Sequence, residues 1–161
     1  MQQTTIIGKL QTGFSSDILS VDTTTDIPSV VVSKSAIHGI IRFLKEEGYL
    51  FLTDLCGVHY PGQELELGVV YHLHDFTKNE RIRIKTFVAK DHPSVPTVTD
   101  IFSGANWMER ETYDFYGILF EGHPNLKRIL NVEYMDYFPM RKEYPLEDPT
   151  REDKDDRYFG R

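Results

Sequence analysis

Three side chains near residue 110 are of the types that general acid–base catalysis uses. Glu111, Asp114 and His123 lie within one short stretch, and a carboxylate beside an imidazole can pass a proton near neutral pH. The alternative is a buried or interfacial polar network that fixes a turn, because hydrogen bonds at low dielectric are strongly specifying. Spacing along the chain supplies no catalytic geometry, so we favour the polar network and predict no catalytic residue.

Two histidines form a second candidate site. His72 and His74 alternate along a predicted strand and therefore lie on the same side of it. With His123 or Asp75 they would supply imidazole and carboxylate ligands that transition metals accept. Two histidines at this spacing are more often solvated strand residues, and we predict no metal site.

An amphipathic helix is predicted after residue 33, with Ser33 or Ser35 as its N-cap and Gly48 at its C-terminal end. Short strands are predicted before it, at 17–22 and 29–32, joined by a turn over 23–28. The apolar residues that define the helix recur at helical spacing: Ile37, Ile40, Ile41 and Leu44.

Strand patterns follow the helix. Residues 50–60 are rich in apolar and aromatic side chains, while 65–74 and 81–85 alternate between apolar and polar types. The polar loop 75–80 between the last two runs predicts an antiparallel hairpin. Because one face of such a sheet must be covered, the sequence predicts a single α+β domain, with an antiparallel or mixed sheet covered by helices.

Two helices are predicted to provide part of that cover. Residues 96–102 are expected to form a short helix that ends at Gly104, and residues 105–116 a second helix that ends at Gly117. On the second helix Arg110 and Asp114 are four residues apart and can form an ion pair, in the less favourable order of base before acid. After it, Lys127 and Arg128 are expected to present positive charge, while Ile129 and Leu130 anchor in the core.

Composition excludes several functions. Cys56 is the only cysteine, so the chain has no internal disulfide and cannot by itself provide the roughly four thiolates of an iron–sulfur cluster. The net charge of −7 disfavours nucleic acid as a partner. No run approaches the ~20 apolar residues of a membrane-spanning helix, and no secretion signal is recognised. Dinucleotide- and phosphate-binding motifs are also missing from the sequence.

The character of the chain changes near residue 138. Residues 143–161 hold seven acids and four bases with few large apolar side chains, which is too little to bury for independent folding. Two interpretations remain open, a disordered tail or an arm that orders against another protein through Tyr144, Tyr158 and Phe159. The aromatic run 134–138 likewise predicts either a loop that covers the core or a partner surface. We divide the chain into a domain at 1–137 and an extended arm at 138–161.

The segment 109–130 resembles the signature of the C-subunit family of respiratory NADH:quinone oxidoreductases (complex I). It contains Glu-Arg-Glu, an acid three residues later, two bulky apolar residues, and then His and Lys at set spacing before an aliphatic pair. The matching positions are Glu109, Arg110, Glu111, Asp114, Phe115, Tyr116, His123, Lys127, Ile129 and Leu130. Gly117, Pro124 and Arg128 lie within the same segment. Downstream, Arg141 and Lys142 fit the family's Pro-Leu-Arg-Lys-Asp continuation, with Met140 and Glu143 as departures.

The resemblance covers roughly residues 45–145. It implies a subunit of the peripheral arm that carries no cofactor, within a complex that carries FMN and iron–sulfur clusters and uses quinone. The implied partners are the quinone-site D-subunit and the iron–sulfur B- and I-subunits, with indirect membrane association at the cytoplasmic face of the inner membrane. The signature residues are then expected to be structural or interfacial.

Two alternatives stand beside this expectation. A related membrane-bound hydrogenase or another donor:quinone complex would share the same module, and sequence separates these poorly. A freestanding enzyme that depends on a metal or on acid–base groups would instead use His72, His74, His123 or Glu111.

Overall fold

The computed structural model describes residues 3–144, with side chains from residue 6 onward. Its helices are α1 (Gln3–Gly13), α2 (Ile37–Glu46) and α3 (Ala105–Tyr116). Its strands are β1 (Ile18–Asp22), β2 (Ser29–Val32), β3 (Phe51–His59), β4 (Leu67–Asp75), β5 (Glu80–Val88), β6 (Ser94–Pro96) and β7 (Leu119–Glu121). No helix among these described residues is long and apolar enough to cross a membrane.

Five strands form one mixed sheet in the order β1-β2-β5-β4-β3. All neighbours are antiparallel except β2 and β5, which run parallel. A separate parallel pair joins β6 to β7. The predicted α+β class and the predicted hairpin of β4 and β5 are confirmed, although that hairpin is tighter than expected, because Asp75 and Glu80 already pair with each other.

The predicted amphipathic helix is confirmed as α2, whose Ile37, Ile40, Ile41 and Leu44 are fully buried. Gly48 follows it with a φ of +107°, as the predicted end of a helix requires. The predicted serine cap is wrong, because a 3₁₀ turn at Lys34–Ala36 precedes α2 and no side chain caps it. Ser33 Oγ donates instead to Asp17 Oδ1 at 2.6 Å, which ties the start of the turn to β1.

Helix α1 is an element that the sequence does not predict. Its segment contains Gly8 and ends at Gly13, and glycine is a poor helix former. Ile6, Ile7 and Leu10 are nevertheless buried in the core, and Phe14, just after the helix, makes an edge-to-face contact with Phe43 of α2. Tertiary packing therefore outweighs weak local propensity here.

The predicted helix at 96–102 is wrong. Residues up to Pro96 belong to β6, the Thr97 N–H donates to the carbonyl of Glu121, and the Val98 N–H donates to the carboxylate of Glu109. These amides are therefore committed to distant partners. Only a single turn remains, in which the N–H groups of Ile101 and Phe102 donate to the carbonyl of Val98.

Candidate functional site

Helix α3 and the segment that flanks it, residues 122–144, bring most of the signature residues together. After α3 the chain turns at Gly117, forms β7, and then follows the helix from its first turn to its last. Contacts along the way join Asn106 to His123, Arg110 to Arg128, and Phe115 to Met140. The helix and this flanking segment together define the candidate functional site.

Gly117 makes the turn possible for two reasons. Its φ is +74°, in the left-handed region where a side chain is strained, and its N–H donates to the carbonyl of Tyr113. A Cβ at this position would also lie 2.5 Å from the ring of Phe138. The predicted end of α3 at Gly117 is thus confirmed, and Phe138 occupies the space that a side chain would need.

Asp114 is the centre of a fully buried network. Its Oδ2 accepts hydrogen bonds from the N–H groups of Ile129, Leu130 and Asn131 at 2.8–3.1 Å. Its Oδ1 accepts from Arg128 Nη1 at 2.8 Å and from Asn131 Nδ2 at 3.0 Å. Burial alone would raise the pKa of Asp114, but these hydrogen bonds outweigh it and hold the pKa well below its ordinary value. Asp114 is therefore an anion that fixes the backbone of the flanking segment.

Arg128 completes this network from the other side. Its Nη1 also donates to the Asp114 carbonyl at 3.0 Å, and its Nη2 donates to the carbonyls of Met135 and Tyr137 at 2.8 and 3.2 Å. The residue is only 9% exposed. The expectation that Arg128 presents surface charge is therefore wrong, because its guanidinium holds the interior together.

The ion pair that the spacing allows between Arg110 and Asp114 does not form, since Asp114 pairs with Arg128 instead. Arg110 is buried, and its Nε and Nη2 donate to the carbonyls of Lys127 and Arg128 at 3.1 and 3.3 Å. Its guanidinium also lies 5.0 Å from the ring centroid of the exposed Trp107, within range of a cation–π interaction. Helix α3 thus holds the flanking segment through a carboxylate and a guanidinium, each with its own partners.

Glu109 and His123 form a second buried pair, with 4.0 Å between Glu109 Oε2 and His123 Nε2 and both side chains fully buried. Burial raises the pKa of Glu109 to about 7, although hydrogen bonds from Thr97 Oγ1 and the Val98 N–H oppose the shift. His123 donates from Nε2 to the carbonyl of Asn106, and its Nδ1 accepts from the Asn125 N–H. A carbonyl only accepts and an amide N–H only donates, so this geometry fixes the neutral Nε2–H tautomer.

The end of the flanking segment attaches to the sheet and to α3 through Arg141 and Lys142. Arg141 Nε donates to the carbonyl of Tyr116 at 2.8 Å, and the Lys142 N–H donates to Nδ1 of the buried His59 at 3.0 Å. The guanidiniums of Arg128 and Arg141 lie 5.0 and 4.7 Å from the ring centroid of Phe138. Phe138 therefore packs between the helix end and two cations, while Lys142 extends its own side chain into solvent.

Several other signature residues are exposed. The side chains of Glu111, Pro124 and Lys127 face solvent. Leu130 is 66% exposed, so the expectation that it anchors in the core is wrong, while Ile129 is half-buried. Among the aromatic residues nearby, Tyr134 is 87% exposed and Tyr137 is 39% exposed, which leaves both predicted roles of this run open.

The structure does not assemble the acid–base set considered from sequence. Glu111 borders a shallow hollow of about 250 Å³ with Asp54 and Cys56, Asp114 bonds to Arg128, and His123 bonds to Asn106. The structure also does not assemble the metal ligands considered from sequence, His72 and His74 with His123 or Asp75. Residues 3–144 contain no group of three or more His, Cys, Asp or Glu that could hold a metal ion. His72 Nε2 accepts a hydrogen bond from Arg83 Nε at 3.3 Å.

Several residues of this site were missed by sequence reasoning. Asn131 bonds to Asp114, Phe138 fills the space at Gly117, and Thr97 bonds to Glu109. An amide directly after the aliphatic pair was a usable signal for Asn131. Carbonyl acceptors such as those of Met135 and Tyr137 carry no signal, because any residue provides one.

Comparisons with known proteins bear directly on this site. The family described as the respiratory-chain NADH dehydrogenase, 30 Kd subunit, matches residues 30–150, which include α3 and the flanking segment. The NADH-quinone oxidoreductase C-subunit of Geotalea uraniireducens is 40% identical over 145 residues, covering 89% of this chain and 88% of the relative. The chain therefore belongs to the 30 kDa subunit family of the respiratory NADH dehydrogenase, complex I. The resemblance seen in the sequence is confirmed.

One further relative and two solved structures are also similar to this chain. The NADH-quinone oxidoreductase C-subunit of Roseiflexus castenholzii is 41% identical over 145 residues, covering 88% of this chain and 83% of the relative. A trypsin-resistant fragment of Nqo5 has a TM-score of 0.69 at 27% identity, covering 78% of this chain and all of the fragment. A chain of an archaeal membrane-bound sulfane sulfur reductase has a TM-score of 0.78 at 24% identity, covering 91% of this chain and 87% of that one. The last similarity shows a shared fold.

Proposed function

We propose that this chain is a cofactor-free structural subunit of the peripheral arm of a proton-translocating NADH:quinone oxidoreductase. In this role it supports electron transfer from NADH through iron–sulfur clusters to quinone by holding neighbouring subunits in place, and it catalyses no step itself. FMN and the iron–sulfur clusters are then held by other subunits. The single cysteine, Cys56, supports this assignment, because a cluster needs about four thiolates.

The observation that carries the proposal is how the site uses its polar groups. Asp114, Arg110 and Arg128 are all buried and make their hydrogen bonds within the chain, most of them to backbone. Groups committed in this way rigidify a surface but are not available to a substrate. The site therefore fixes the shape of the flanking segment, whose outer side carries Lys127, Lys142 and exposed aromatic rings.

The proposed partners follow from the family. The quinone-site D-subunit and the iron–sulfur B- and I-subunits are the neighbours that a peripheral-arm protein of this kind would contact. Lys127 and Lys142 remain as cations for charge complementarity, because Arg128 is buried and Arg141 is half-buried. Association with the membrane would be indirect, at the cytoplasmic face of the inner membrane. Tyr144, Tyr158 and Phe159 would join the interface if the arm orders there, although residues beyond 144 lie outside the described part.

The experiment that tests the proposal is affinity purification of the tagged full chain from gently solubilised membranes of its host. We expect the iron–sulfur, quinone-site and membrane subunits to co-purify in constant ratio, together with iron and flavin. Recovery with iron but without a flavin protein would point instead to a related hydrogenase-type complex. Recovery of the chain alone as a stable soluble protein would contradict the proposal.

A variant tests the structural role of the signature. Arg110→Ala leaves the carbonyls of Lys127 and Arg128 without their buried donor, so we expect less assembled complex on native gels. Lys34→Ala is the control, since Lys34 is exposed and lies outside both α3 and the flanking segment. Equal assembly of the two variants would show that the signature network is not needed to hold the flanking segment.

A further inference from the structure

Within residues 3–144, the five-stranded sheet buries one face in the core and leaves β5 side chains accessible on the other, although Val70 and His74 of the neighbouring β4 are buried on that second face. Along β5 the side chains alternate: Ile82, Ile84, Thr86 and Val88 are buried against the core, whereas the intervening residues are exposed or half-buried. We call this second side the open face. On β5 it presents Arg81, Arg83, Lys85 and Phe87.

The open face carries a row of cations. Arg81, Arg83 and Lys85 follow one another at every second position of β5, so they span roughly 13 Å at ~3.3 Å per residue. None of the three forms an ion pair with an acid of the described residues, whereas elsewhere Lys9, Arg42, Lys78 and Lys90 each have a carboxylate within 4 Å. In a chain of net charge −7 this concentration of unpaired positive charge stands out.

The central cation is held in place across the sheet. The strand register aligns one residue of each strand across the sheet, at right angles to the cation row. From β1 to β3 these residues are Asp22, Ser29, Arg83, His72 and Asp54. Arg83 donates from Nε to His72 Nε2 and from Nη1 to Ser29 Oγ, both at 3.3 Å. Burial and the nearby Arg83 lower the pKa of His72, which keeps it a neutral acceptor. Such an arginine is preorganised, and less side-chain entropy is lost when it binds a carboxylate.

Aromatic rings border the cations at both ends of the face. At one end Phe51 and Phe76 are more than half exposed and meet edge to face with centroids 4.8 Å apart. At the other end Phe87 lies over Gly68, where a Cβ would come within 2.6 Å of the ring, and Tyr60 packs 5.9 Å away. Cations next to accessible aromatic rings are the composition of a protein interface.

We propose that the open face is a docking surface for an acidic segment of another protein in the same complex. This inference rests on the proposed function and adds the chemistry of the partner. A polypeptide fits better than a polyphosphate. The acids Asp22 and Asp54 lie on the two edge strands, one on each side of Arg83, and would repel a uniformly anionic chain. Carboxylates placed between those two acids would reach Arg81, Arg83 and Lys85, with apolar side chains on the rings.

The alternative occupant of the open face is the C-terminal part of this chain. Residues 145–161 contain six acids and four bases, so they offer carboxylates as well. Their weaker net negative charge and interspersed bases make them a poorer match to three adjacent cations than a continuous acidic segment. The experiment must nevertheless identify which polypeptide supplies the carboxylate.

Zero-length carbodiimide cross-linking of the purified complex makes that identification. The reagent joins a lysine amine to a carboxylate in direct contact, with loss of one water. We expect Lys85 to be joined to an Asp or Glu of a co-purifying protein, as identified by peptide mass spectrometry. In the matched variant Lys85→Arg the positive charge stays and this cross-link disappears. A link from Lys85 to residues 145–161, to Asp22 alone, or to no carboxylate would overturn the proposal.

Charge reversal tests the energetic role. Arg81→Glu places an acid in the cation row, and we expect roughly tenfold weaker retention of the chain in the complex at low salt, because like charges oppose each other across the interface. The difference from the original chain should shrink as added salt screens these charges. Lys34→Glu is the control, since Lys34 is also exposed and makes no ion pair within the described residues, but lies outside the open face, where its Nζ donates to Ser94 Oγ. Equal retention of the two variants would overturn the proposal. Failure of the unsubstituted chain to co-purify with any other protein would instead refute the proposed function.

Discussion

The site at α3 and the open face of the sheet both depend on arginines, but they use them in opposite ways. At α3, Arg110 and Arg128 are buried and donate to backbone carbonyls and to Asp114. On the open face, Arg81 is exposed and Arg83 is half-buried, and neither has an ion-pair partner among residues 3–144. The same side chain is thus a stabilising element where water is excluded and an available recognition group where it is not. Substitutions should separate the two regions by their effect on folding.

The largest effect is expected at Arg128. Replacing Arg128 with Met removes four hydrogen bonds and leaves Asp114 as a buried anion without its cation, at a cost of ~3–5 kcal/mol in the free energy of unfolding. Lys127→Met, one residue earlier and exposed, should change stability by less than ~0.5 kcal/mol. Urea unfolding of the full-length variants measures both values. Similar values for the two would mean that the Arg128 network contributes little.

The next effect is a pH dependence at Glu109. Its pKa is about 7 in the fold and near 4.5 when unfolded, so between these values the folded state holds a proton that the unfolded state has released. The contribution of Glu109 to the free energy of unfolding is therefore fully present below about pH 4.5. It decreases as the pH rises to 7, by at most ~3 kcal/mol. Glu109→Gln should remove that decrease.

The measurement is the free energy of unfolding at pH 5 and pH 8 for the original chain, for Glu109→Gln and for Glu111→Gln. Glu111 lies on the same helix but is exposed, so its variant should keep the pH dependence of the original chain. Parallel pH profiles for the original chain and Glu109→Gln would contradict the assigned pKa.

A smaller effect is expected at Gly117. Gly117→Ala places a side chain at a φ of +74° and in contact with Phe138, which should cost ~1–3 kcal/mol. Gly104→Ala is the matched control, because Gly104 has a φ of −64° and a Cβ there meets nothing within 4 Å. That control should be neutral or stabilise by up to ~1 kcal/mol. The difference between the two in thermal unfolding isolates the turn, and an absence of any difference would count against its strain.

The smallest effect on folding is expected on the open face. Arg81→Gln should change the free energy of unfolding by less than ~0.5 kcal/mol, because its side chain is exposed and makes no hydrogen bond within the described residues. A loss of several kcal/mol would show that Arg81 is a folding element like Arg128, and the contrast between the two regions would disappear. The same urea titration used for Arg128 makes the comparison direct.

Local patterns explain why much of the fold was predictable. The apolar spacing of Ile37 to Leu44, the alternation along β5 and the glycine at 117 each depend on neighbours in sequence, and each is found as predicted. Strand β4 forms as predicted but is not half-buried, because Val70 and His74 on its second face are only 7% and 5% exposed. Helix α1 has weak propensity and forms only because Ile6, Ile7 and Leu10 have a core to enter. The segment 96–102 has a helical pattern, but its amides find stronger distant acceptors in Glu109 and Glu121.

The signature residues were recognisable from type and spacing, but their partners were not. Arg110 and Asp114 are correctly placed on α3, yet the pair that their spacing allows does not form. Asp114 instead accepts from three consecutive amides and a guanidinium of the flanking segment. The division into a domain at 1–137 and an arm at 138–161 stays a prediction. Phe138 to Tyr144 lie on the flanking segment, and residues 145–161 are outside the described part.

By itself, the sequence determined the α+β class, the main helices and strands, the family, and which residues form the signature, because these depend on composition, periodicity and order along the chain. Only the tertiary structure decided that Arg128 is internal while Arg83 and Lys85 face outward. It also decided which side of the sheet stays open and that Glu109 lies buried beside His123. The physical reason is that burial and hydrogen-bond partners are set by elements distant in sequence, and these fix whether a charge stabilises the fold or remains available to another molecule.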